Sequence, residues 1–200
     1  MSWFQEHSRV SLDLIKRTGI KKQGFVIDVG GGTSSLADDL LSDGFKNITV
    51  LDISAAALKV AQARLAQRAA KVTWLEADIT KVILPGNHFD VWHDRAVFHF
   101  LTRSQDREHY VETVRTAVKQ GGHVIVATFG TDGPLRCSGL DVVRYSPDGL
   151  HQEFGVAFDL VEHTEEMHRG IPVRRYVLFA KKGVLQLPSL YSNCLNVNLE

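Results

Sequence analysis

VIDVGGGTSS, residues 26–35, is a short apolar run holding one aspartate, followed by three glycines and small hydroxyl residues. A strand that ends in consecutive glycines turns tightly and leaves backbone N–H groups open to a ligand at the start of the next helix. The dinucleotide fingerprint G-x-G-x-x-G finds its first two glycines in Gly30 and Gly32, but its third place holds Ser35. Gly31 serves the turn itself, since glycine accepts positive φ.

Asp28 narrows the ligand. It precedes Gly30 by two residues, where a carboxylate repels a pyrophosphate and attracts an amino group or a sulfonium. Asp52 closes ITVLD 22 residues after Gly30, where an acid accepts hydrogen bonds from ribose hydroxyls. Asp78, in WLEAD, can accept from an adenine amino group. Two of the acids also have plainer roles, Asp52 as a helix cap and Asp78 as a loop residue or cap. All three fall at the carboxyl ends of strands, where open α/β sheets hold ligands. Three acids without a phosphate-binding Lys or Arg suit adenosine joined to a cationic amino acid, which describes S-adenosylmethionine.

The surrounding pattern is α/β. Strands are predicted over 25–29, 48–51, 72–75, 89–92, 123–128, 158–163 and 174–180, with amphipathic stretches between them. Ser54 is placed to cap a helix bearing Leu58, Ala61 and Leu65 on one face. Thr102 and Gln105 have capping-box spacing before a second helix, and Gly121-Gly122 reads as its stop. Residues 158–168 and 173–181 are joined by Arg169-Gly170-Ile171-Pro172, too short for a crossover helix, so they should pair antiparallel. The expected fold is a Rossmann-like three-layer sandwich with a mostly parallel sheet and an antiparallel C-terminal strand. Residues 1–182 read as one domain and 183–200 as a loosely attached tail.

Composition excludes some function classes. The 23 basic residues balance 23 acidic ones, which argues against non-specific binding to nucleic acid or an anionic membrane. Two cysteines, Cys137 and Cys194, lack CxxC spacing and suit a reducing cytoplasm. The N-terminal residues read as no signal peptide, and no segment has the apolar length of a membrane span.

The ordered motifs VIDVGGGTSSLA, VLDIS, LEADIT and FDVWHDRAVFHFLT resemble those of class I S-adenosylmethionine-dependent methyltransferases over roughly residues 3–181. The resemblance implies a seven-stranded sheet whose last strand is antiparallel. It also implies that Asp28, Gly30 and Gly32 line the methionyl end of the cofactor, Asp52 and Ile53 the ribose side, and Asp78 with Ile79 the adenine. It sets His93 near the sulfonium. Trp3 and Phe4, with Val10, Leu12, Leu14 and Ile15, read as a packed N-terminal helix or, functionally, as an aromatic lid over the cofactor. GGGTSSL further resembles the branch containing citrate synthase lysine methyltransferase, whose members tend to carry Asp-Lys-Gly where this chain has Asp94-Arg95-Ala96. Acceptor recognition is implied for the loop after the fifth strand, with Arg136, Cys137, Arg144 and Tyr145, and for Arg95.

Asp94 and His99 are the candidate general bases if the acceptor arrives protonated. His99 and Phe100 read equally well as packing residues. The nine histidines include no HxxxH or HExxH pair, so no metal is expected. Cys137 reads as a lid or packing residue rather than a nucleophile. A small-molecule methyltransferase acting by in-line transfer to N, O or S is the expected function. A protein-lysine methyltransferase, a nicotinamide-dependent oxidoreductase and a non-catalytic nucleotide-binding module are the alternatives.

Overall fold

The structure is a computed structural model that describes residues 7–168 and 171–183. Trp3, residues 169 and 170 of the link, and the tail beyond 183 with Cys194 therefore lie outside the described residues. Helix α1 (Arg9–Arg17) leads into β1 (Phe25–Val29), α2 (Leu36–Ser42), β2 (Asn47–Asp52), α3 (Ala55–Leu65) and β3 (Val72–Glu76). Then come β4 (Phe89–Arg95), α4 (Ser104–Ala117), β5 (Val118–Thr128), a small hairpin of β6 (Arg136–Cys137) and β7 (Leu140–Asp141), α5 (Pro147–Phe154), β8 (Phe158–His168) and β9 (Ile171–Lys181). Short 3-10 turns cover Ala66–Lys71 and Phe98–Phe100.

The main sheet has seven strands in the order β3-β2-β1-β4-β5-β9-β8. Only β9 runs against the others, pairing antiparallel with both β5 and β8. This is the Rossmann-like sandwich expected from the strand spacing and the terminal hairpin. Among the described residues no helix is long and apolar enough to cross a membrane.

Period-two alternation divides the core between the two faces of the sheet. Val26, Ile48, Val91, Ile125 and Tyr176 pack beneath α1, α2 and α3 with Leu14, Leu36 and Leu58. Ile27, Trp92, Val124 and Phe179 pack on the other face with Tyr110 and Val114 of α4 and Phe154 of α5. The same alternation turns Asp28, His93 and Arg95 to the α1 face and Asp94 to the α4 face. It thereby decides which polar groups can meet.

Two local readings need correction. Thr102 caps nothing: α4 begins after Arg103, which has extended backbone and whose guanidinium forks onto Asp106 at 2.8 and 2.9 Å. Gly121-Gly122 does not end that helix, because β5 starts at Val118 directly after Ala117. The helix's final carbonyls are taken instead by Asn87 and His88, whose N–H groups bond Thr116 and Ala117. The two glycines lie where the β4–β5 register slips between Phe89 and Val91, with Gly121 at φ +72°. Ser54 caps α3 as expected, accepting from Ala57 N–H at 3.2 Å.

Candidate functional site

The glycine loop is pinned across the end of β2: the N–H groups of Gly30 and Gly31 both donate to Leu51 C=O, at 2.7 and 3.3 Å. Side chains would not fit here. A Cβ on Gly31 would stand 2.5 Å from Asp28 Oδ2, and one on Gly32 would stand 2.6 Å from Asp52 Oδ2. The loop is thus packed against two carboxylates. Ser35, in the place of the third glycine, is buried, and its hydroxyl meets that of Ser8 at 3.3 Å. Ser8 N–H in turn donates to Asp39 of α2 at 2.8 Å. The substituted position therefore tethers the segment before α1 to the loop.

A cleft of about 250 Å³ opens over the carboxyl ends of β1, β2 and β4. Asp28, Gly30, Gly32, Asp52, Arg95 and Cys137 line it. So does Phe100, for which packing and a substrate role stood level in the sequence, and so do Thr33, Ser34, Ala57, Ala96, Ser138 and Arg174, to which the sequence assigned no role. Thr33 and Ser34 belong to the quoted motif itself. Arg174 had one available signal, a charge sharing an in-facing strand position with Tyr176 and Leu178.

Asp28 is buried. Its Oδ1 lies 2.7 Å from His93 Nδ1, while Oδ2 has no hydrogen-bond partner. His93 Nε2 is 2.9 Å from Ser11 Oγ of α1. The His93 ring consequently stands behind Asp28 and is not part of the cleft lining. Asp52 accepts from the N–H of Ser54 at 2.8 Å and from that of Gly32, and burial raises its pKa above the usual carboxylate value. Beside it, Ile53 is 71% exposed, a large apolar side chain on the surface next to a carboxylate that lines the cleft.

The remaining sequence candidates lie off the cleft. Asp78 holds a turn, accepting from Thr80 N–H and Oγ1 and pairing with Lys81, which lowers its pKa to about 2. Ile79 is buried in the core on the α4 face. Asp94, fully buried, accepts from the N–H groups of Val97 and Phe98 and from the Tyr110 hydroxyl at 2.6 Å. Desolvation pushes its pKa up to about 6. Trp92 Nε1 donates to the same Tyr110 hydroxyl, so Asp94 anchors the turn after β4 to α4.

His99 is also fully buried, between the rings of Phe100 and Phe129, and neither nitrogen has a hydrogen-bond partner. Burial first, and the charge of Arg174 second, lower its pKa to about 4. Arg136 pairs with Asp141 across the small hairpin, and Arg144 donates to Gly133 C=O. Tyr145 packs on Phe98. Cys137 is held in the cleft wall by that hairpin, whose turn residues Ser138 and Gly139 have φ of +50° and +83°. Burial raises its thiol pKa.

Residues 26–122 match a family described as a methyltransferase domain. The matched span is a methyltransferase domain of the S-adenosylmethionine-dependent kind. A ubiquinone/menaquinone biosynthesis C-methyltransferase of Ectopseudomonas mendocina is 28% identical over 137 residues, covering 66% of this chain and 52% of that protein. An EEF1A lysine methyltransferase of Danio rerio is 26% identical over 136 residues, covering 63% and 57%. The chain thus spans about half the length of the curated relatives it matches. The Burkholderia thailandensis 1,6-didemethyltoxoflavin-N1-methyltransferase, solved with that molecule and S-adenosylhomocysteine, superposes with a TM-score of 0.73. It is 19% identical, with 88% of this chain and 77% of that one covered, and shares the fold.

The methyl donor of this family is S-adenosylmethionine, and the residues present fit it. Asp28 offers an orphaned, buried carboxylate oxygen of the charge an amino group requires. The loop beside it carries no side chains that would exclude the methionyl chain, and Asp52 stands at the far side of Gly32. Among the described residues no group of three or more His, Cys, Asp or Glu could hold a metal ion.

Proposed function

We propose that this chain transfers the methyl group of S-adenosylmethionine to a small molecule bound across the cleft from Asp28. The observation that carries the reading is the partnerless Oδ2 of Asp28 beside the bare glycine loop. An unsatisfied buried acceptor is rare, and here a cationic ligand group satisfies it. The donor supplies a methyl already activated on a sulfonium, so alignment and water exclusion fall to the protein. Asp28 holds the amino group while His93 fixes the rotamer of Asp28. Asp52 receives the ribose hydroxyls and exposed Ile53 covers one face of the adenine, while Asp78 holds the turn after β3 and Ile79 packs in the core.

The acceptor atom is carbon, nitrogen, oxygen or sulfur. The C-methyltransferase relative and the toxoflavin enzyme both act on small molecules by name, which supports a small acceptor here. The lysine methyltransferase relative supports a second reading, a protein acceptor. Two cysteines without paired spacing support a cytoplasmic setting.

Calorimetry with S-adenosylmethionine, S-adenosylhomocysteine and NAD tests the donor. Binding of the first two and none of NAD is expected; tight NAD binding without them overturns the assignment. Labelled donor incubated with a metabolite extract and with a protein extract then identifies the acceptor class. The label is expected in the metabolite fraction.

A further inference from the structure

The side of the cleft away from Asp28 and Asp52 has an apolar stretch. Phe100 and Ala96 line it from the turn after β4, and Cys137 lines it from the β6–β7 hairpin. The guanidiniums there are engaged within the fold: Arg174 forms an ion pair with the buried Glu166, and Arg95 has an interaction of its own.

The hairpin carries the apolar wall outward. Cys137 pairs with Leu140 and Arg136 with Asp141, and Val142 N–H donates to Leu135 C=O at 3.1 Å, adding one more rung. Directly opposed residues share a face and successive ones alternate. Leu135, Cys137, Leu140 and Val142 therefore form one face, and the Arg136–Asp141 ion pair occupies the other. Cys137 and Val142 are buried in a cluster with Phe129, and Phe100 packs against it. Leu135 and Leu140 are 65% and 61% exposed, and among the described residues no other leucine is exposed. They stand diagonally across the hairpin, about 7–8 Å apart, within reach of one alkyl chain.

This face is continuous with the cleft through Cys137, so a molecule seated beside Phe100 and Cys137 meets the two leucines next. Neither leucine offers a polar contact, and hydrocarbon laid on them is removed from water. We infer that the acceptor carries an apolar arm, an alkyl chain or an aryl extension, that passes Phe100 and Cys137 and lies along Leu140 and Leu135. This rests on the methyl-transfer reading and narrows it to an amphiphilic small molecule, with the two leucines setting specificity.

The test titrates 4-ethylphenol, 4-propylphenol and 4-pentylphenol by calorimetry into protein saturated with S-adenosylhomocysteine. Each added methylene is expected to tighten binding about two- to fourfold, so 4-pentylphenol should exceed 4-ethylphenol by about tenfold or more. In Leu135→Ser/Leu140→Ser that ratio should fall below about threefold, with S-adenosylhomocysteine affinity changed less than threefold. Both leucines are exposed, so the fold should survive their loss, and circular dichroism checks it. Asp141→Ser, on the hairpin's other face, should keep the full ratio. A flat series, no binding of any alkylphenol, or a ratio untouched in the leucine variant or equally lost in Asp141→Ser overturns the inference. A dimer in sedimentation that the leucine variant loses would assign this face to a second copy and overturn it too. Failure of S-adenosylhomocysteine to bind instead overturns the methyl-transfer reading. The same series on unliganded protein then still decides whether the hairpin selects alkyl chains.

Discussion

Asp28 and His93 stand opposite each other on adjacent parallel strands, joined through Oδ1 and Nδ1 at 2.7 Å, and this bond leaves Oδ2 turned toward the glycine loop. One oxygen is committed to the fold and the other is left for a ligand. Asp28→Asn keeps an acceptor for His93 but removes the charge. S-adenosylhomocysteine affinity should fall at least tenfold with the urea midpoint nearly unchanged. His93→Phe should do the reverse: it strands Asp28, lowering stability by about 1–3 kcal/mol, with a smaller loss of affinity.

Asp52 and Asp78 separate in the same way. Asp52 sits against Gly32 in the cleft, so Asp52→Ala should weaken donor binding by an order of magnitude or more through unpaired ribose hydroxyls. Asp78 spends its oxygens on Thr80 and Lys81. Asp78→Ala should therefore weaken binding less than Asp52→Ala does. The turn that Asp78 supports is held at neutral pH and released only as pH falls from 3.8 toward about 2, since its folded pKa is depressed. Calorimetry on both variants checks the order.

The fold was legible because strand length, helix spacing and the four-residue C-terminal link each leave few topologies. Asp28, Gly30, Gly32 and Asp52 of the cleft were legible for a related reason: they sit at fixed offsets from one glycine loop. Other parts of the cleft lining were not. Arg174 and Phe100 reach the cleft from β9 and a 3-10 turn distant in sequence, and no local spacing links them to Gly30. Asp94 and Tyr145 carried chemically apt side chains, but the alternation of β4 and the packing around Phe98 turn them into the core. Arg103 displaced Thr102 as the residue before α4 because it gains a bidentate pair with Asp106.

Gly30 combines φ of +69° with a clash. A Cβ there would lie 2.0 Å from Val97 Cγ2. Gly30→Ala should cost about 2 kcal/mol or more, from left-handed backbone strain of about 1–2 kcal/mol plus overpacking. Adding Val97→Ala should relieve only the overpacking. Urea denaturation of the single and double variants separates the two contributions.

Asp94 titrates in the fold near pH 6, above its ordinary 3.8, because burial opposes the charge. Between those values the folded state binds more protons than the unfolded one, so this group makes stability fall as pH rises. The span corresponds to about 3 kcal/mol. In Asp94→Asn that slope should vanish. Relative to wild type, the variant should gain stability from pH 4 to 6 and show no further relative change above pH 6.5, in urea melts at each pH.

His99 has the opposite sign. Its imidazole is buried and neutral, with a folded pKa near 4 against an ordinary 6.5. The unfolded chain binds the extra proton between those values, so this group's contribution is intact above pH 6.5 and lost as pH falls toward 4. The full loss is again about 3 kcal/mol, and over the shared window it offsets the slope from Asp94. His99→Leu removes two partnerless nitrogens while keeping an apolar contact with Phe100 and Phe129. It should match or exceed wild type at pH 7.5 and gain on it steadily below pH 6.5. A constant difference across pH 4–7 would show that His99 titrates normally and is open to water.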